Sequence, residues 1–138
     1  MITLAYFWPL DLLGRLHPLL VHFPIGLLMG ALLMECWSRL RQVDANYSGI
    51  VHLGAAAGVF SAIAGLVLRV LGDYEGELVD QHQLVGYLTA GLARITSFLY
   101  WHRHRISGYL PFVGLIVTCL SLSLAGHLGA SITQAKIT

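Results

Sequence analysis

The chain has 138 residues, 57% of them apolar and 11% charged, with a mean hydropathy of +0.72. Soluble domains carry roughly a quarter of their residues as charges, so this composition excludes a water-soluble domain and points to a membrane protein. The formal net charge of +1 argues against a nucleic-acid partner, which calls for a basic patch or stripe.

The N-terminus, MITLAYFWPLDLLGRL, lacks the basic region and small-residue cleavage site of a signal peptide. It reads as a short amphipathic approach to the membrane, with the first helix as an uncleaved anchor. A bilayer core takes about 20 mostly apolar residues in helical form, and four segments qualify: 16–40, 48–71, 81–102 and 109–128. The polar stretches between them, RQVDANY, GDYEGELVD and RHRISG, are short enough to force antiparallel neighbours. The expected fold is all-α: a single domain over 1–138, formed as a membrane-spanning antiparallel four-helix bundle.

Small residues mark the expected helix contacts. Gly26 and Gly30 form one GxxxG pair and Gly54 and Gly58 a second, which Ser61 and Gly65 continue. Cys36 and Cys119 lie in apolar runs, where a free thiol acts as a small hydrophobe. No CxxCH is present for a covalent haem, and no CxxC for zinc.

Loop charges set an expected orientation. Arg39, Arg41, Arg103 and Arg105 flank the first and third loops, whereas Asp73, Glu75, Glu77 and Asp80 fill the second. By the positive-inside rule the basic loops are cytoplasmic. Both termini and the acidic loop are then on the opposite, periplasmic side or its equivalent. Trp37 and Trp101 fall at the cytoplasmic ends of their helices, where interfacial aromatics belong.

This topology sorts the seven histidines. His17 and His22 begin the first span, His82 begins the third and His127 ends the fourth, which brings all four to one periplasmic layer. His102 and His104 extend the opposite basic cluster, and His52 starts the second span as a cap or a partner for Glu35. Ionisable groups within spans are functional candidates because burying them unpaired is costly. Imidazole is also the commonest metal ligand, so His17, His22, His82 and His127 are the candidate ligands of a metal or a haem.

Gly86, Gly126 and Gly129 stand near these histidines, either for helix packing or to leave room for a flat macrocycle. Pro18 and Pro24 in HPLLVHFP each remove a helical N–H, which predicts an irregular or kinked segment. Arg15 and Arg69 lie at the same depth, either to pair haem propionates or to snorkel to the interface. Arg94, deep in the third span, needs a partner, and Glu35 is the expected one.

HPLLVHFPIGLL, AGLVLRVLGDY, DQHQLVGYLTAG and AGHLGASIT occur in that order between residues 17 and 133. Together they resemble an uncharacterised four-helix bacterial inner-membrane domain with an HPxxVHFP opening and a GHxG ending, often fused to planctomycete-type cytochrome c domains. The resemblance implies electron transfer, with haem b (one or two) held by His17, His22, His82 and His127. A single haem would join a ligand from the first helix to His82 or His127. The implied partner is a c-type cytochrome on a separate polypeptide, or a quinone. Many members continue after GHLGASIT with a His-Gly pair, whereas this chain has Gln134 and Ala135, so any role of that extra histidine is missing. Two other readings remain open: a copper or zinc site on the same histidines, and a structural anchor subunit of a larger respiratory or photosynthetic complex.

Overall fold

The computed structural model describes residues 8–135, so the expected amphipathic approach is seen only from Trp8 onward and its first seven residues lie outside the described residues. Six helices follow one another: α1 (Trp8–Arg15), α2 (His17–Leu20), α3 (His22–Arg41), α4 (Ser48–Gly72), α5 (Glu77–Trp101) and α6 (Tyr109–Ala135). No strand occurs among the described residues.

The first expected span is a helical path broken into pieces. Leu16 and Val21 keep right-handed helical backbone while interrupting α1–α2 and α2–α3. Pro18 stands in the first turn of α2, where its missing N–H would lack a partner anyway. Amides of Leu20 and Val21 still reach the carbonyls of Leu16 and His17, at 2.9 and 3.1 Å. The path through HPLLVHFP is thus helical, interrupted at Leu16 and Val21.

Left-handed residues close the next two helices: Gln42 (φ 55°) ends α3 and Asp73 (φ 52°) ends α4. At the start of α4 the side chain of Asn46 accepts from the Ser48 amide at 3.0 Å, satisfying a donor that the helix cannot. Helix α5 begins four residues before the apolar segment, because Glu77 and Asp80 favour the positive end of the helix dipole. Helix α6 runs through GHLGASIT, with the Ser131 and Thr133 hydroxyls donating back to the carbonyls of His127 and Gly129.

The long helices pack in sequence, α3 on α4, α4 on α5 and α5 on α6, and α6 returns to α3, while α1 and α2 lie on α4. Leu28, Ala31, Val51, Ala55, Ala93, Tyr100, Leu115 and Cys119 form the core. Its many small residues let the backbones approach, as packing without a hydrophobic drive requires. At Gly54 a Cβ would fall 2.7 Å from the Leu28 side chain, and at Gly58 it would rest 3.8 Å from Pro24. Gly26 and Gly30, by contrast, face open space, so only the second GxxxG pair serves a contact within the chain.

The exterior is apolar as well, with Phe23, Leu33, Leu53, Phe60, Leu88, Ile95 and Leu120 all exposed. Three stretches, His17–Arg41, Ser48–Gly72 and Tyr109–Gln134, are long and apolar enough to cross a membrane. Helix α5 has 25 residues but is not among them, since Glu77, Asp80, Arg94 and the polar run Gln81-His82-Gln83 interrupt it. The chain is therefore an all-α protein of membrane character.

Candidate functional site

One end of the packed helices joins the start of α2, the end of α4, the start of α5 and the end of α6. There the structure brings together two of the four expected histidines. His17 and His82, from α2 and α5, stand with ring centroids 6.3 Å apart and planes at 71°. Each ring is fixed by a neighbouring helix. His17 Nδ1 lies 2.9 Å from the Ser61 carbonyl oxygen on α4, and His82 Nδ1 lies 3.0 Å from the Ala125 carbonyl oxygen on α6. A carbonyl can only accept, so both imidazoles carry the proton on Nδ1 and leave Nε2 with a free lone pair. No hydrogen bond to either Nε2 occurs among the described residues.

Glycines make this placement sterically feasible. A Cβ at Gly65 would stand 2.8 Å from His17 Cε1, and one at Gly129 would stand 3.1 Å from His82 Cε1. The small face of α4, read from the sequence as a helix contact, thus seats an imidazole. Gly86, one turn beyond His82, and Gly126 border open space instead.

The other expected ligands stand apart. His22 is exposed and its Nδ1 donates to the Pro18 carbonyl at 2.8 Å within its own segment. His127 is exposed on α6. Among the described residues no ring contact joins either to the His17–His82 pair. Residues 17 and 22 are five apart, about 140° out of phase, so their side chains leave the helix on different sides.

Both candidate arginines are engaged by side chains of the chain itself. Arg15 Nε bonds Asp11 at 3.0 Å. Arg69 donates to Asp80 Oδ1 at 2.5 Å and to the Gln83 side-chain oxygen, tying the end of α4 to the start of α5.

At the opposite end the expected Glu35–Arg94 pair does not form. Glu35 accepts from Arg39, at 2.7 Å from Nη2 and 3.1 Å from Nε, and from the Tyr100 hydroxyl. Arg39 is one turn from Glu35 on the same helix, the spacing at which opposite charges meet. Arg94 stands outside the buried stripe of α5 (Thr89, Ala93, Thr96, Ser97, Tyr100) and is exposed. His52 does not meet Glu35 either; its Nδ1 lies 2.6 Å from Ser97 Oγ. The i,i+4 spacing of Glu35 and Arg39 is a cue the sequence carries, whereas the Tyr100 and Ser97 partners depend on the rotation of α5 about its axis.

The donor set limits what the pair can hold. No group of three or more His, Cys, Asp or Glu side chains able to hold a metal occurs among the described residues. A structural zinc takes four protein ligands and a catalytic one three. A haem supplies its own equatorial nitrogens and asks the protein only for axial ligands. Two imidazoles oriented through Nδ1–H to carbonyls fit that need, since such bonds fix the tautomer and raise the basicity of the coordinating nitrogen. No family model, curated protein or solved structure matches the chain.

Proposed function

We propose that the chain is a four-span antiparallel subunit of a bacterial inner membrane, holding haem b between His17 and His82 at its periplasmic end and passing electrons between membrane and periplasmic redox partners. The observation that carries this reading is the paired imidazoles of α2 and α5, 6.3 Å apart, each anchored through Nδ1 with Nε2 free. A haem held by His17 and His82 would supply one-electron chemistry.

The chain's residues define the setting. Ser61 and Ala125 hold the ring orientations, Gly65 and Gly129 admit the rings, and open space borders Gly86 and Gly126. His22 and His127 are not ligands in this reading; being exposed, they face a partner or the interface. Arg15 and Arg69 are occupied by Asp11 and Asp80, so propionates are left to other groups or to water. The resemblance to the HPxxVHFP domain, with its cytochrome c fusions, favours a c-type cytochrome as partner and a quinone as the second candidate.

The test is the dithionite-reduced spectrum of protein purified from haem-replete cells. A b-type α band is expected in the parent chain, in His22→Ala and in His127→Ala. It should vanish in His17→Ala and His82→Ala. No Soret absorption in the parent overturns the proposal, and a band that survives either of the last two substitutions removes that residue as a ligand.

A further inference from the structure

A groove of about 430 Å³ opens on the outer surface of α4 and α5, at the end away from the histidine pair. It is lined by His52, Arg94, Ser97, Phe98, Trp101 and His102, with no carboxylate among them. We propose that this groove binds the phosphate headgroup of an anionic phospholipid, with Arg94 as its principal contact. The inference rests on α5 crossing the membrane and is independent of the haem.

Arg94 lies seven residues before Trp101, the last residue of α5, or about 10 Å down the helix. It is exposed and has no ion pair or hydrogen bond among the described residues. An unpaired guanidinium at that depth is costly unless it reaches the interface or meets an anion. Its side chain lines the groove, and its length lets the charge reach towards headgroup level.

The remaining lining residues suit the same ligand. His52 Nδ1 lies 2.6 Å from Ser97 Oγ, and with the hydroxyl donating, His52 carries its proton on Nε2 as a donor for phosphate oxygen, whereas His102 donates Nδ1–H to the Phe98 carbonyl at 3.0 Å and lines the groove with its ring. Trp101 is 73% exposed and Phe98 62%, presenting aromatic surface beside the polar groups, as residues at the acyl–headgroup boundary do. Just beyond, Arg105 adds positive charge, while Arg103 is engaged by Asp44 at 3.5 Å and by Asn46 at 3.0 Å. Basic pockets of this kind between helices on the cytoplasmic side attract anionic headgroups.

Trp101 provides a probe inside the groove itself. A Trp8→Phe/Trp37→Phe chain, in which both replaced residues are exposed, would be reconstituted with brominated phosphatidylglycerol or brominated phosphatidylcholine. Quenching then gives the relative affinity of the two lipids at Trp101. The expected result is a preference for phosphatidylglycerol that falls about fivefold in Arg94→Ala, the effect of one arginine near an anionic membrane surface. Arg94→Lys should keep most of it. Equal quenching by the two lipids in the Arg94 chain overturns the proposal, and would point instead to a carboxylate on a partner helix. Loss of the preference on adding excess inorganic phosphate would make free phosphate the ligand and also overturn it. Absence of quenching by either lipid would mean that Trp101 is not at the bilayer, which removes the spanning of α5 and overturns the proposal with it.

Discussion

Gly65 and His17 are in direct contact: any side chain at position 65 would begin 2.8 Å from the Cε1 of the imidazole. The neighbour here is a ring held by a hydrogen bond to Ser61, one turn away on the same helix, so it has little freedom to retreat. Gly65→Ala is therefore expected to displace His17, destabilising the protein by about 1–3 kcal/mol, as overpacking does, and depleting the reduced α band. Gly129→Ala, with 3.1 Å of clearance to His82, should have the same sign and a smaller size. Thermal unfolding in detergent together with the haem spectrum checks both, and an unchanged band in Gly65→Ala would count against His17 as a ligand.

The core offers a second contact of this kind, between Gly54 and Leu28. A Cβ at position 54 would lie 2.7 Å from the fully buried Leu28 side chain. Leu28→Ala alone should cost about 2–5 kcal/mol through the cavity it opens, and Gly54→Ala about 1–3 kcal/mol through overpacking. Combined, the two should cost less than the sum, since the shortened residue 28 makes room for the new methyl. A double-mutant cycle by equilibrium unfolding in micelles measures the coupling, and strict additivity would mean that the helices separate instead of holding this contact.

Tyr100 is 2% exposed and its hydroxyl donates to Glu35, whose other oxygen is taken by Arg39. Tyr100→Phe removes a hydrogen bond to a charged group, for which about 1–3 kcal/mol is the usual loss. Glu35→Gln retains a side-chain oxygen for the tyrosine but removes the charge facing Arg39, and should cost no more than that. Glu35→Ala strands both partners and should be the most harmful of the three. The order of the three unfolding midpoints is the readout, and a Tyr100→Phe chain as stable as its parent would refute it.

These contacts show what the sequence could and could not disclose. Helical segments follow from apolar length, and the sorting of His17 and His82 from His52, His102 and His104 to opposite ends follows from alternating helix direction alone. Pairing within a layer is different, because it depends on helix rotation. His17 and His22 share one motif and similar depth, yet one faces Ser61 on α4 and the other is exposed. Arg94 and Glu35 looked matched by charge, but i,i+4 proximity gave Glu35 to Arg39 and rotation of α5 left Arg94 outside. Polar starts mislead hydropathy as well: Glu77 to Asp80 read as loop and form the first turn of α5.

The Arg69–Asp80 bridge joins α4 to α5, with side chains 32% and 63% exposed. Exposed pairs contribute little, so Asp80→Asn is expected to change stability by less than about 1 kcal/mol, and by less again in high salt. Because Arg69 is engaged within the chain, Arg69→Gln should leave haem content unaltered. Haem-to-protein ratio by pyridine haemochrome decides this, and a fall by half or more would restore Arg69 as a propionate partner.

Orientation can be read from two exposed loop positions on either side of α5, Glu75 and Ser107. Basic residues gather near the second, with Arg103 and Arg105, and acidic ones near the first, with Asp73 and Glu77. The positive-inside rule then places residue 75 in the periplasm and residue 107 in the cytoplasm. The two free cysteines, Cys36 and Cys119, are first replaced by Ala, and a single cysteine is introduced as Glu75→Cys or Ser107→Cys. A membrane-impermeant maleimide applied to intact cells is expected to label the first chain and spare the second until the cells are opened. The reverse pattern would invert the topology and move the His17–His82 pair to the cytoplasmic face. Labelling of both in intact cells would mean that α5, which carries Glu77, Asp80 and Arg94, does not cross the bilayer.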